Sequence, residues 1–320
     1  ADMARENNAD AIAPGVDATY VMPFYKGDLK LGANLHHSRN NSTITNPNNG
    51  MFFVDNFTNV EKDTASVYAE WQRDKASFST TIGTRYTRVD MDAGLAGSNM
   101  VMMNPAIASL VDDFNAAERS KSYNMLDIAA STRYHASDNV DVVLGVSQKN
   151  RAPTYFESYT WLPLGISGGM ADGFNYIGNL ALDNETARQI DVGIDYRFKS
   201  WSVSPRLFYQ DIEDYITGSP STNMAANMVS TMMAGTTPFQ WTNTDAVIKG
   251  ADLTVSGNVF DNVRLNAVAS VQHGNRDDID DALFRIAPEQ LITTIQWDTQ
   301  LLDLPMALQL TSELVGAQNH

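Results

Sequence analysis

Hydrophobic residues recur at every second position over long stretches of the chain, most legibly from Ala187 to Asp211. Ile190, Val192, Ile194, Tyr196 and Phe198 alternate with Gln189, Asp191, Gly193, Asp195 and Arg197. After Lys199-Ser200 the alternation resumes, with Trp201, Val203, Leu207 and Tyr209 set against Ser202, Ser204, Arg206 and Gln210. Successive side chains of a strand point to opposite faces, so this stretch predicts a hairpin with one apolar and one polar face. The pattern repeats along the chain: Val16 to Leu35 around residues 25–28, Val67 to Tyr86 around Arg73-Asp74-Lys75, and Leu126 to Val146 around Ser137-Asp138-Asn139. Two further hairpins run from Val247 to Val271 around Phe260-Asp261-Asn262 and from Leu291 to Leu310. About twelve strands in six hairpins result. Every short turn falls at one end. At the other lie long segments: Asn40–Asp63, Met91–Tyr123, Asn150–Thr186, Ile212–Ala246 and the acidic His273–Ile286. Strands of about ten residues with aromatic ends, short turns on one side and long loops on the other define an all-β fold, a transmembrane antiparallel β-barrel.

Composition narrows this without changing it. No run of about 18 apolar residues exists, so no helix is expected to span a bilayer. A barrel needs only every second residue apolar, and 43% hydrophobic content suffices for that. The net charge of −16 argues against a nucleic-acid partner, which requires clustered Lys and Arg. The chain has no cysteine, which excludes disulfides, thiol catalysis and zinc–thiolate sites within it. No local context unites Ser, His and acid, and the lipid-facing positions read as apolar, so an outer-membrane hydrolase is not expected. Ala1 opens without the features of a signal peptide, which is therefore expected outside this sequence. The chain stops on Gln318-Asn319-His320 in mid-loop, and residues 1–320 are read as part of a larger barrel.

Several motifs sharpen the picture. Gln148-Lys149-Asn150-Arg151-Ala152-Pro153, followed by Glu157, resembles the FRAP strand end of TonB-dependent outer-membrane receptors. Gly178-Asn179 with Leu182, Asp183 and Glu185 resembles that family's GNP-LKPE stretch, with Leu180 where Pro is usual and Asp183-Asn184 in place of Lys-Pro. Ile286-Ala287-Pro288 resembles a late strand start. A further set resembles the copper receptors of the family: Ile44 to Asn49, Phe52-Phe53, Asn56-Phe57, Tyr159 to Leu164 and Gly168 to Gly173. The resemblance implies a barrel of about 22 strands around an N-terminal plug, of which this chain carries about twelve strands and no plug. It implies active transport of a metal, foremost copper, driven by the inner-membrane TonB complex through the plug, in the outer membrane of a Gram-negative bacterium. A siderophore or cobalamin receptor of the same family is the first alternative. A passive porin or structural barrel is the second.

Methionine supplies the candidate chemistry, since thioether sulfur is a soft donor that selects Cu(I) over hard cations. Met100, Met102 and Met103 share one long loop, Met170 the next, and Met224, Met228 and Met232 the one after. These seven are the candidate copper contacts. Copper here is cargo, and no resident cofactor is expected. Met224, Met228 and Met232 are four apart, which places them on one face of a helix, where packing is the expected role. For the cluster at 100–103, packing and capture stand equal. Asn104-Pro105 predicts a capped helix with an apolar stripe of Ile107, Leu110, Val111 and Phe114 lying over the barrel mouth. Asp277, Asp278, Asp280 and Asp281 read as a solvated acidic loop, lacking the glycine and closing Glu of an EF-hand. His36, His37 and His135 lack a second ligand at metal spacing and read as structural, the first two at the outer end of a strand. Glu70, Arg85, Asp127, Arg133, Asp191, Asp195, Arg206 and Asp252 fall on the polar face and are expected to line the lumen and meet the plug.

Overall fold

The computed structural model describes residues 4–279, 281–284, 286–302 and 304–317. Its long strands are β1 (Glu6–Ile12), β2 (Gly15–Phe24), β3 (Gly27–Asn46), β4 (Asn49–Lys75), β5 (Phe78–Asp92), β6 (Lys121–Ser137) and β7 (Val140–Arg151). They continue with β8 (Glu185–Phe198), β9 (Trp201–Pro220), β10 (Phe239–Phe260), β11 (Val263–Arg276), β12 (Gln290–Leu301) and β13 (Leu304–Val315). β1 and β2 pair end to end with β3, so they form one strand interrupted at Ala13-Pro14. Twelve strand positions result, each antiparallel to its neighbour in chain order. The sheet is open: among the described residues β13 pairs only with β12, and β1 and β2 only with β3. No helix among the described residues is long and apolar enough to cross a membrane.

The two faces of the strands are inverted relative to a water-soluble sheet. On β8, Ile190, Val192 and Ile194 are 50%, 40% and 43% exposed, whereas Gln189, Asp191 and Asp195 are half-buried and Gly193 is buried. The same holds for Leu126 and Ile128 on β6 and for Leu207 and Tyr209 on β9. An apolar band that faces outward on successive strands is covered by hydrocarbon in a bilayer. Aromatic rings mark its short-turn edge: Phe78 and Tyr134 lie 4.8 Å apart across neighbouring strands, and Tyr196 stacks on Phe198 at 5.4 Å. The first turn is two residues, Tyr25 and Lys26, with φ of 44° and 59°. Positive φ at both central positions gives the twist that closes a tight hairpin.

On the inner face, charged side chains expected to meet a plug pair with one another. Asp195 accepts hydrogen bonds from Arg133 and Arg206. Arg206 crosses Gly193 to do so, and a Cβ at that glycine would collide with its side chain. Asp141 binds Arg133 at 3.2 Å, Arg197 at 3.0 Å and His135 at 2.8 Å. Asp127 accepts from the Asn150 backbone N–H at 2.8 Å, and Asp252 from the Ser270 hydroxyl at 2.5 Å. The Arg85 guanidinium sits 4.8 Å over the Tyr68 ring, and Lys30 lies 4.0 Å from Glu70.

The long segments depart most from expectation. Asn40–Asp63 is not a loop: β3 and β4 stay paired through it to Asn46 and Asn49, with turn residues Pro47-Asn48 at its tip. Its Asn, Ser and Thr residues hid a second alternation, in which Ser42, Ile44 and Asn46 are buried, as are Val54 and Asn56. His36 and His37 therefore lie within β3, not at its end, and His37 Nδ1 sits 2.8 Å from Asp63. β9 and β10 likewise extend past the expected strand ends to Pro220 and from Phe239. Between them lies helix α2 (Met224–Ala234), and between β5 and β6 lies helix α1 (Pro105–Ala116). Asn104 caps α1 by accepting from Ala106 N–H at 3.0 Å, with Pro105 in the first turn, as the sequence predicts.

Candidate functional site

Four long-loop segments, β3–β4, β5–β6, β7–β8 and β9–β10, share one hydrophobic core. Ile44 and Val54 from the β3–β4 tip meet Met100, Ile107 and Leu110 from the first helical loop. Trp161, Leu162 and Ile177 from the segment after β7 join them, with Ala226 and Val229 of α2. The apolar stripe of α1 thus faces inward, with Ile107 and Leu110 buried and Val111 and Phe114 half-buried against the core. Polar bonds tie the same segments: Trp161 Nε1 donates to the Asp55 carbonyl at 2.9 Å, and Ser167 Oγ to Asn56 Oδ1 at 2.6 Å. Burial pushes the Tyr159 phenol well above its usual range, and its hydroxyl donates to the Arg119 carbonyl at 2.9 Å.

The motif residues find their roles here. Arg151 forks onto Glu185 with two bonds of 2.7 Å and donates a third to Glu157 at 2.8 Å. Glu157 also closes a capping box with Thr154 on the one-turn helix Tyr155–Tyr159, and Glu185 accepts the Ile216 backbone N–H at 2.8 Å. Gly178 donates its N–H to the Thr160 carbonyl at 2.6 Å, an approach that a Cβ there would block against the backbone of residues 158–160. Asn179 Nδ2 then bonds the Trp241 carbonyl at 3.0 Å. Of the residues on which the sequence resemblance to copper receptors rests, Ile44, Asn56, Phe57, Tyr159, Trp161 and Leu162 are buried and pack the cap, whereas Phe53 is 40% exposed.

The methionines divide into three groups. Met103, Met228 and Met232 line one open groove between the start of α1 and the face of α2, together with Asn104, Pro105, Ala106, Asn227 and Thr231. Met102 and Met224 stand nearby at 91% and 80% exposure. Met100 is buried in the shared core beneath, and Met170 packs in a separate cluster with Tyr176, Ile216 and Trp241. The packing role expected for Met224, Met228 and Met232 is not what the structure has. Their exposures are 80%, 64% and 67%, because α2 turns Ala226, Val229 and Ser230 to the core instead. Gly235, with φ of 75°, ends the helix in the left-handed conformation that favours glycine.

Other candidate residues carry no comparable arrangement. Asp278 is bound by Arg276 through bonds of 2.9 and 2.7 Å, and Arg276 itself is buried and donates to Ser219 Oγ at 3.0 Å. That guanidinium holds the Asp278 carboxyl down at about 2. Asp280, the third member of the expected acidic loop, lies outside the described residues. Among the described residues no three His, Asp or Glu side chains converge on a metal position. His135 serves Asp141, as a structural histidine should.

An outward apolar band, a polar inner face and a folded cap over the long-loop end define an outer-membrane β-barrel polypeptide. The chain belongs to the TonB dependent receptor-like β-barrel family, whose model matches residues 5–317, and its place is the outer membrane of a Gram-negative bacterium. The copper transporter OprC superposes with a TM-score of 0.70 over 92% of this chain and 42% of that one, at 15% identity. The FrpB iron transporter from Neisseria meningitidis (F3-3 variant) gives 0.63 over 95% and 42%, at 14% identity. The ferric yersiniabactin uptake receptor FyuA from Yersinia pestis gives 0.61 over 98% and 43%, at 12% identity. These likenesses describe the fold, and the chain spans less than half the length of each of the three proteins. No curated protein matches the sequence.

Proposed function

We propose that this polypeptide is the barrel portion of a TonB-dependent receptor that imports a metal, copper above others, with its cap as the first point of capture. One observation carries the reading: Met103, Met228 and Met232, drawn from two separate loops, present their side chains to a single groove on the outer surface. Thioethers are soft donors suited to Cu(I), and they need no deprotonation to bind it. Large apolar side chains held at the water interface otherwise gain nothing from their position. The resemblance of the cap motifs to copper receptors, and the fold likeness to a copper transporter, support the same cargo. In the full receptor, passage through the lumen would draw on the inner-membrane TonB complex acting through a plug.

The test replaces Met103, Met228 and Met232 together by Leu in the full-length receptor, which keeps volume and apolarity and removes sulfur. Folding and outer-membrane level should stay normal, since such swaps cost less than about 1.5 kcal/mol even in cores. Copper uptake at limiting metal should fall, with little dependence on pH before or after the change. Unchanged uptake in the triple variant sinks capture by this groove. The Met170→Leu change, at a residue that does not line the groove, should leave uptake alone.

A further inference from the structure

The same exposed sulfurs have a second chemistry. We propose that Met102, Met103, Met224, Met228 and Met232 form an oxidation site, at which peroxide or hypohalous acid switches off the soft-metal affinity of the cap. The switch rests on the capture reading above; the oxidation itself does not. A thioether attacks the terminal oxygen of a peroxide: one S–O bond forms, the O–O bond breaks, sulfur is oxidised and the peroxide leaves as water. Hypochlorous acid delivers the same oxygen and leaves as chloride and a proton. The product sulfoxide is polar and presents oxygen in place of a free thioether lone pair, so a donor matched to Cu(I) becomes a harder one.

The geometry favours these positions for one reason, access. Met102, Met224, Met103, Met232 and Met228 are 91%, 80%, 76%, 67% and 64% exposed. Met91, Met125 and Met100 are 2%, 6% and 8% exposed and provide controls within the same molecule. All five stand on the outer face of the membrane, where an oxidant arriving from outside meets them first. Turning α2 so that Ala226 and Val229 fill the core leaves its methionine face in water, and a core-facing stripe would have been protected. The groove members differ from the other two in one respect. Met103, Met228 and Met232 would be shielded when a soft cation occupies the groove, whereas Met102 and Met224 do not line it.

The experiment uses the full-length receptor in outer-membrane vesicles, with dilute hydrogen peroxide as oxidant and Ag⁺ as a redox-inert stand-in for Cu(I). Peptide mass spectrometry should find sulfoxide at these five methionines, and at Met51 on the β3–β4 tip, which is also 80% exposed, at least about tenfold faster than at Met91, Met100 and Met125. Pre-loading with Ag⁺ should slow Met103, Met228 and Met232 and leave Met102 and Met224 unchanged. After oxidation Ag⁺ binding should be lost, and methionine sulfoxide reductase should restore it. A variant with all five replaced by Leu should show no peroxide-dependent change in Ag⁺ binding. Oxidation that ignores exposure, or oxidation of all five with Ag⁺ affinity intact, overturns the proposal. Absence of Ag⁺ binding before oxidation overturns the capture reading and the switch with it, while the pattern of sulfoxides still decides the site.

Discussion

Arg151 shows how much a single side chain can hold in this protein. Its guanidinium serves two carboxylates, Glu157 and Glu185, whose side chains are only 12% and 13% exposed, and so joins the end of β7 to the one-turn helix and to β8. Arg151→Ala leaves both anions poorly solvated and unpaired, at a cost of about 2–4 kcal/mol. Arg151→Lys keeps the charge but cannot fork, and should recover only part of this in thermal unfolding of the full receptor. Asp278 is the pH-sensitive counterpart in the cap. Its carboxyl is depressed to about 2 by Arg276, from the ordinary carboxylate value of 3.8. A depressed carboxylate contributes stability above its unfolded value and loses it as pH falls through the folded one. The loop around Asp278 should therefore resist proteolysis at neutral pH and loosen between about pH 4 and pH 2. In Asp278→Asn the loop should already be loose at neutral pH, and the acid step should vanish.

At the scale of strands, inside and outside are set by alternation. Arg placed at Val192, Ile194 or Leu265 meets hydrocarbon and should cost about 2–4 kcal/mol near the midplane. At Asp191 or Asn266 it meets the wet lumen and should cost far less. Equal penalties on both faces, measured by reversible unfolding into lipid, contradict the barrel assignment. This part of the fold was legible in the sequence because period two survives wherever lipid touches every second residue. The extensions beyond lipid were less legible. Between Asn40 and Asp63 alternate residues are buried by protein, and protein buries Ser42, Asn46 and Asn56 as readily as Ile44 once they are hydrogen-bonded. The buried face of α2 is hidden in the sequence for a related reason. Methionine spaced by four is as consistent with water as with a core, and Ala226 and Val229, the residues that do pack, are too few to announce themselves. The groove was not readable at all, because Met103 and Met228 are separated by 124 intervening residues and meet only through the packing of α1 on α2.

For the molecule as a whole, the open sheet sets a constraint. Among the described residues, the outer edges of β13 and of the β1–β2 strand carry backbone groups without strand partners. Hydrocarbon offers them none, so an open edge of this length cannot rest in a bilayer. Residues 1–320 expressed alone should fail to give a heat-resistant monomer on cold gel electrophoresis after refolding into detergent. A heat-resistant monomer from that chain would show that the two edges meet.

The shared core of the cap bears on how the cell surface looks to anything outside it. Four long-loop segments contribute to one folded body through Ile44, Ile107, Trp161 and Val229, so no stretch of it keeps its shape when cut free. Antibodies raised against linear peptides from single loops should recognise denatured protein and pass over the living bacterium. An epitope or phage receptor built here is discontinuous, and a substitution that unpacks one hairpin removes the whole of it. Drift in the surface sequence is then confined to side chains such as Met51 and Leu95 that point away from the core, at 80% and 59% exposure.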